Sequence, residues 1–293
     1  MITDLVNVVA SERSPETPVL HLFAGPYVTV RRQRLEIPEG SKRLLAFAAL
    51  HTGMLDRRWT AGALWPLGND SRASGNLRSA LWRLRDNGLQ LIDVDKASIG
   101  LRDDVVVDVR VACDWASRII SGTHHLDDLS AVAWHLDELE LLPGCYEEWA
   151  LMERERIRQR MLHAFESLSQ HLIDKQRFAE AVEVAMAAVS VEPLRESATR
   201  ALIEAHLAEG NWAEAYRTFH RYRTILREEL GTEPASELTR LVSRRHPRPF
   251  DQVLARNSTR VVKTRPVTPS ERLRRAVRRG TAPRMPGPPA DLR

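Results

Sequence analysis

The sequence has few cysteines, no long apolar run and no phosphate-binding loop, and each absence excludes a class of protein. Its two cysteines, Cys113 and Cys145, cannot build a disulfide framework, so we expect a reducing, cytoplasmic environment. No apolar run approaches the ~18 residues that span a bilayer, and the N-terminus lacks the apolar run of an export signal. Neither a Gly-x-x-x-x-Gly-Lys-Ser/Thr loop nor a Gly-x-Gly-x-x-Gly turn after a strand is present, which argues against a nucleotide-binding enzyme.

Clusters of catalytic or metal-binding side chains are equally scarce. The pair His124-His125 is close in sequence to Asp127-Asp128, but adjacent side chains point apart and both cysteines are remote. The acidic residues between 137 and 140 suit a solvated helix face better than a catalytic dyad. We therefore expect no catalytic residues, no metal and no cofactor.

Charge is distributed unevenly along the 293 residues, although the net charge is only +4. Residues 19–110 carry 14 Lys/Arg against 10 Asp/Glu, residues 111–243 carry 14 against 23, and residues 244–293 carry 14 against 3. A basic head, an acidic middle and a very basic tail indicate segments with different partners. The length suits two domains plus a tail, and residues 1–18 are expected to be a flexible lead-in.

Residues 19–110 show short elements in the order strands, three helices, hairpin. Strands are predicted at 19–25, 27–30 and 35–38, with a turn at 31–34; helices begin near Ser41, Trp59 and Ser71; and a hairpin joins 89–94 to 99–101 and 105–107 around the turn 95–98. Ser41 is the predicted N-cap of the first helix. This order is typical of a winged helix, in which the third helix enters the major groove and the hairpin touches the flanking DNA backbone.

The stretch 71–86 predicts an amphipathic helix with one apolar and one polar face. The apolar face holds Ala73, Leu77, Ala80, Leu81 and Leu84, and the polar face presents Arg72, Asn76, Ser79, Trp82 and Arg83, with Arg78 and Arg85 on the flanks. Guanidinium, amide and hydroxyl groups are those that hydrogen-bond phosphates and base edges. The alternative is a surface helix whose arginines only keep it soluble.

Residues 111–243 have a wholly helical periodicity with a recurring pattern. Phe-Ala-Glu-Ala-Val at 178–182 and Trp-Ala-Glu-Ala-Tyr at 212–216 begin 34 residues apart, which is the tetratricopeptide period. We expect Trp212 to be a buried plug between helices, and a long helix upstream over 147–172. Because single repeats cannot bury their faces alone, at least three helix pairs are predicted.

Residues 244–293 hold half of the 16 prolines and several arginine clusters, with few apolar residues to bury. This composition predicts disorder. Two interpretations stay open: a solvated tail without a task, and a nonspecific electrostatic anchor on DNA.

Two groups of motifs resemble a known bacterial family. Leu-Trp-Pro at 64–66 and the run 76–85 are similar to the DNA-binding domain, an OmpR-like winged helix, of the SARP-type activators, or antibiotic regulatory proteins. Leu-Pro-Gly at 142–144, Glu-Pro-Leu-Arg-Glu at 192–196 and the runs 210–215 and 226–234 resemble the bacterial transcriptional activator domain that follows it in this family. The resemblance covers roughly residues 19–243 in the family's domain order.

The resemblance implies a chain that is mainly α with a small β portion. Its expected domains are an OmpR-like winged helix over 19–110, a tetratricopeptide-like activator domain over 111–243 and a disordered basic tail over 244–293. The implied function is sequence-specific activation of transcription, by binding repeated promoter-proximal sites on double-stranded DNA and recruiting RNA polymerase holoenzyme. A cytoplasmic, nucleoid-associated protein without a membrane partner is expected, and a homodimer on DNA stays open.

Candidate functional residues follow from the helix chemistry and the resemblance together. The candidate DNA contacts are Arg72, Asn76, Arg78, Ser79, Trp82, Arg83, Lys42, Arg43, Lys96 and Arg102. The resemblance places polymerase contacts in the loop before the third helix, at Pro66, Leu67, Gly68, Asn69 and Asp70. The rival interpretation is a tetratricopeptide scaffold for protein partners whose winged helix does not read DNA. Arg72, Asn76 and Arg83 on one free face argue against it.

Overall fold

A computed structural model describes residues 2–130 and 140–243 of the chain. The basic tail at 244–293 and the acidic residues 137 and 138 lie outside the described residues. The described chain is mainly helical with a small sheet portion near its N-terminus, which confirms the predicted fold class.

The N-terminal part of the described chain mixes short strands with helices, and the rest is helical. The first part contains α1 (Ile2–Arg13), β1 (Val19–His21), β2 (Tyr27–Val30), β3 (Gln33–Leu35), α2 (Glu39–Leu50), β4 (Leu55–Asp56), α3 (Arg57–Leu64), α4 (Asp70–Asp86), β5 (Ile92–Val94), β6 (Ser98–Leu101), β7 (Val106–Val107) and α5 (Asp108–Ser121). A short 3₁₀ helix at Asp127–Ser130 follows, then α6 (Glu148–Asp174), α7 (Phe178–Val191), α8 (Glu196–Glu209), α9 (Trp212–Leu230) and α10 (Ser236–Ser243).

The first sheet has the strand order β3-β2-β1-β7. β7 lies parallel to β1, with Val106 opposite Val19, and both β7 valines are buried. The prediction that 105–107 extends the later hairpin is therefore wrong, because burial beside β1 outweighs proximity in sequence. The turn predicted at 31–34 is also shorter than expected. Arg31 and Arg32 both have positive φ, as in a two-residue hairpin turn, so β3 begins at Gln33.

The three helices α2, α3 and α4 form the body of the winged helix. Ser41 is not the N-cap of α2, because the helix already begins at Glu39 and the buried Ser41 hydroxyl donates to the Ala80 carbonyl oxygen at 2.8 Å. This bond ties α2 to α4. α3 begins at Arg57, two residues earlier than predicted, because the Asp56 side chain accepts a hydrogen bond from the Trp59 amide at 2.8 Å and caps the helix.

The apolar face of α4 is confirmed residue by residue. Its buried residues are Ala73, Leu77, Ala80, Leu81 and Leu84. The hairpin of β5 and β6 around the turn 95–98 is also confirmed, with Ile92 opposite Leu101. β4 extends this second sheet by pairing with β6. A strand of two residues carries no periodic signal, which is why the sequence analysis does not detect it.

The expectation of a flexible lead-in at 1–18 is wrong for Ile2–Arg13. This segment forms α1, which buries Val6 and Ala10 in the core and packs against α5 and β7. The Arg13 side chain donates to the Asp103 carbonyl oxygen at 3.0 Å. A helix of 12 residues is marginal by itself in water, so α1 is stabilised by the surface that it covers.

The expected boundary between 110 and 111 falls inside α5, and one continuous core extends from the winged helix into α6 and α7. Asp108, the first residue of α5, is buried, and its carboxylate accepts backbone hydrogen bonds from Leu22, Phe23 and Val109. The described residues up to Val242 consequently form one compact unit.

The repeat pattern marks the starts of α7 and α9, which begin at Phe178 and Trp212. The long upstream helix is confirmed as α6, and α5 through α9 pack against one another in chain order. Trp212 is half-buried rather than a plug, because it is the first residue of its helix and lies at the end of the helix packing. The small residues Ala181 and Ala215 are the buried members of the two patterns.

Candidate nucleic-acid interface

The helix α4 presents a fixed polar surface because its other face is buried. Asn69 caps the helix: its side-chain oxygen accepts a hydrogen bond from the Arg72 amide at 2.9 Å. Of the predicted DNA contacts on α4, five are exposed (Arg72, Arg78, Ser79, Trp82 and Arg83), and Asn76 is half-buried. Trp82 is 63% exposed, an unusual position for an indole in a folded domain.

Two of these exposed arginines lie against glycines of neighbouring elements. The guanidinium of Arg83 occupies the space that a Cβ on Gly40 would need, so Arg83 reaches the start of α2. The carbons of Arg72 run along Gly68 in the loop before α4; Cδ lies 3.6 Å from the position of a Cβ there. Glycine at both positions leaves room for an arginine side chain.

The start of α2 contributes Lys42, and the structure separates it from Arg43. Lys42 Nζ lies 2.6 Å from the Glu39 carboxylate, so its charge is shared locally. Arg43 instead contacts the helical part of the chain: its guanidinium donates to Glu147 Oε2 at 2.6 Å and to the Leu64 carbonyl oxygen. The structure therefore does not place Arg43 with the other predicted contacts.

The hairpin, or wing, presents one unpaired cation at its tip within the described structure. Lys96 lies exposed in the turn 95–98. Hydrogen bonds from Ser98 and from the Ala97 amide hold the pKa of Asp95 below its usual value and fix the turn around it. Arg102 donates two hydrogen bonds to Asp104, at 2.8 and 2.9 Å, so its charge is already paired.

Residues 66–70, predicted to contact polymerase, are the loop before α4 and the first residue of that helix, and all five are exposed. Leu67 is fully exposed, which is rare for a leucine in a folded domain. Asn69 has a second use as the cap of α4. The loop therefore connects the end of α3 to α4 while presenting an apolar side chain to solvent.

One contact that sequence reasoning missed is the joint between α2 and the start of α6. Glu147 Oε2 accepts hydrogen bonds from Arg43 and from Trp149 Nε1 at 2.6 and 2.8 Å. Nearby, Arg154 donates to three backbone carbonyl oxygens, those of Leu141, Leu142 and Cys145. The two ion-pair partners are separated by 104 residues, so no local pattern could reveal the pair.

Other predicted features of the described chain can be stated briefly. Within 2–130 and 140–243, no group of three His, Cys, Asp or Glu side chains could hold a metal ion. In the same ranges, every helix is too short or too polar to cross a bilayer. The Asp128 carboxylate accepts hydrogen bonds from Arg118 Nη2 at 2.6 Å and from the backbone amide of His125 at 2.9 Å.

Comparison with known proteins agrees with this architecture. Residues 126–244 match the family described as Bacterial transcriptional activator domain. Over 215 residues the chain is 30% identical to the regulatory protein AfsR of Streptomyces coelicolor, in an alignment that covers 69% of this chain and 21% of AfsR. The chain thus spans about a fifth of the length of that relative.

A solved structure of Mycobacterium tuberculosis EmbR, in complex with a low-affinity phosphopeptide, has a similar fold. The TM-score is 0.60 at 17% identity, and the match covers 83% of this chain and 69% of that one. At this identity the likeness concerns the fold alone. The domain match and the AfsR alignment together support a transcriptional regulator of SARP type, and the likeness to EmbR agrees with them in fold.

Proposed function

We propose that the chain is a sequence-specific transcriptional regulator that inserts α4 into the major groove of double-stranded DNA. The observation that carries the proposal is the division of α4 into two faces. Five apolar residues of the helix are buried, while Arg78, Ser79, Trp82 and Arg83 are exposed. A helix fixed on one side and rich in donors on the other fits the major groove, where base edges carry the sequence code.

The remaining contacts of the proposed interface are to the DNA backbone. Lys96 at the tip of the wing supplies an unpaired cation, and Lys42 at the start of α2 supplies one that must first give up its pairing with Glu39. Arg102, paired with Asp104, contributes less, and Arg43 belongs to the joint with α6. Phosphate contacts of this kind fix register and orientation without reading sequence.

Activation is the second part of the proposal. The exposed loop 66–70 precedes the recognition helix and carries the fully exposed Leu67. A polymerase subunit bound beside the regulator can bury this leucine, which water otherwise surrounds at a cost. We propose RNA polymerase holoenzyme as the partner, promoter-proximal repeats as the sites, and hence a cytoplasmic, nucleoid-associated protein. A homodimer on such repeats is compatible with this arrangement.

Selection of genomic DNA fragments by the full chain tests the proposal. We expect the selected fragments to share a repeated motif, and the complexes to survive an excess of random DNA. The helical-scaffold interpretation makes the opposite prediction, namely that no fragment is enriched over random DNA. Enrichment of fragments that share no motif would mean that the winged helix binds DNA without sequence specificity.

A further inference from the structure

A cavity of about 750 Å³ opens beside the recognition helix. Trp65, Trp149 and Met152 give it apolar walls, and Arg72 and Asn76 of α4 line it as well. Small-molecule sites are typically clefts of about 300–1,000 Å³ with mostly apolar walls and a few polar groups. The cavity matches such a site in size and in composition, and Pro66, Leu67 and Gly68 of the proposed polymerase loop also line it.

Two arginines and two glutamates line the cavity, and one of the arginines, Arg72, has no carboxylate partner in the described structure. Arg43 also lines it, but Arg43 and Glu147 neutralise each other, and Glu147 accepts a further hydrogen bond from Trp149. Glu148, the other acidic lining residue, is exposed to water in the first turn of α6. In the described structure the guanidinium of Arg72 has no carboxylate partner; only its backbone amide is bonded, to Asn69.

The position of Arg72 brings its charge to the cavity. The side-chain carbons of Arg72 run along Gly68, and both residues line the cavity. Asn76, one turn further along α4, adds an amide that can donate a hydrogen bond. The two tryptophans offer ring surfaces on which a flat aromatic group can pack.

We propose that this cavity binds a small aromatic molecule that carries a carboxylate or a similar anionic group. The ring packs on the tryptophan and methionine walls, and the anion binds the Arg72 guanidinium with help from Asn76. A second consequence rests on the proposed DNA-binding function. Because Arg72 also belongs to the polar face of α4, the ligand and DNA phosphates compete for one guanidinium, so each lowers the affinity for the other by the same factor.

Isothermal titration of the full chain tests the cavity without DNA. The probes are 1-naphthoate, an aromatic carboxylate, and 1-naphthamide, its neutral analogue. We expect saturable binding of naphthoate at one site with Kd below about 1 mM, and at least tenfold weaker binding of the amide, which is about 1.4 kcal/mol. Absence of saturable naphthoate binding in this range, or equal affinity for both probes, would overturn the proposal.

Two matched variants locate the binding. Met152 and Met186 are both exposed helix residues, at 66% and 55%, but only Met152 lines the cavity. Met152→Glu places a negative charge in the site, where it repels the naphthoate carboxylate, and should lower the affinity for naphthoate at least tenfold. Met186→Glu should leave this affinity unchanged. Arg72→Gln should reduce the affinity for naphthoate to that for naphthamide. Equal loss in the two glutamate variants would place the probe elsewhere.

The competition with DNA has its own readout. Saturating naphthoate should weaken the complex with a selected DNA fragment several-fold in the wild type and leave the complex of Met152→Glu unchanged. If naphthoate binds but the affinity for DNA does not change, the proposed competition is refuted and the proposed ligand site is retained. A chain that binds no DNA would refute the proposed function, and the titration without DNA would still decide the cavity site.

Discussion

The position of Trp212 in its helix determines how much it contributes to the unfolding free energy. As the half-buried first residue of α9, it contacts the small core around Phe219 without filling it. Trp212→Ala should therefore cost roughly 1–2 kcal/mol of unfolding free energy, a typical value for a partly buried site. The buried Phe219→Ala is the matched comparison and should cost about 3–5 kcal/mol.

Urea unfolding of both variants checks this difference. A loss for Trp212→Ala as large as that for Phe219→Ala would mean that the tryptophan is the plug that the 34-residue period predicts.

Asp108 couples the folding of the winged helix to pH. Burial raises the pKa of its carboxyl to about 7, whereas an exposed aspartate titrates near 3.9, about the value expected in the unfolded chain. The folded chain therefore binds this proton more tightly. Stability contributed by the protonated carboxyl is complete below about pH 4 and is lost as the pH rises through about 7.

Asp108→Asn stays neutral and should escape this loss. We expect the variant to gain stability relative to the wild type between about pH 4 and 7, in urea unfolding at several pH values. Burial also lowers the pKa of the neighbouring His21 to about 4, and its Nδ1 lies 3.9 Å from Asp108 Oδ2, so the two proteins are compared above about pH 5, where His21 is neutral in the folded chain. A stability difference that does not vary with pH would contradict the expectation.

At the scale of elements, the sequence predicts the helices and strands that have a periodic apolar pattern. It does not predict very short strands or pairings between segments that are far apart in sequence. The apolar stripe of α4 and the wing could be predicted because each repeats over several residues. α1, the two-residue β4 and the parallel partner of β7 could not, since their order comes from surfaces far away in sequence.

The candidate site divides in the same way. The polar residues of α4 were predicted from helical spacing, and the structure exposes most of them. The charge of Arg43 makes it a candidate DNA contact, yet its partner is Glu147, 104 residues away. Charge alone does not predict which of two surfaces an arginine side chain will contact.

The joint between α2 and α6 gives an element-scale prediction. Arg43 and Glu147 are each about one third exposed, so water screens their pairing. In a cycle of Arg43→Ala, Glu147→Ala and the double variant, we expect a coupling energy of about 0.2–1 kcal/mol in thermal unfolding.

An exposed pair within one helix, Arg217 with Glu214 on α9, serves as the control and should show a smaller coupling. Strictly additive losses in the first cycle would mean that the joint does not depend on this pair.

For the whole molecule, the basic tail is expected to act on DNA without reading it. Residues 244–293 carry 14 Lys/Arg against 3 Asp/Glu, and each neutralised phosphate changes the salt slope of binding by about 0.9. Deletion of residues 247–293 should weaken binding to all DNA alike and make the slope shallower by several units, measured by titration at four or more salt concentrations.

The acidic segment 111–243 offers a competing outcome for the same deletion. If the tail pairs with that segment rather than with DNA, truncation would leave the slope unaltered or tighten binding. Either of these results would refute the prediction that the tail is a nonspecific anchor on DNA.

The most direct test of the central claim, that the polar face of α4 reads base sequence, is the ratio of affinities for a selected fragment and for random DNA. Arg83→Ala should cost about 1–3 kcal/mol on the selected fragment and much less on random DNA, so the ratio falls. Arg85→Ala, an exposed arginine on the flank of the same helix, should leave the ratio unchanged. Equal losses on both DNAs for Arg83→Ala would contradict the account, because α4 would then contact only phosphates.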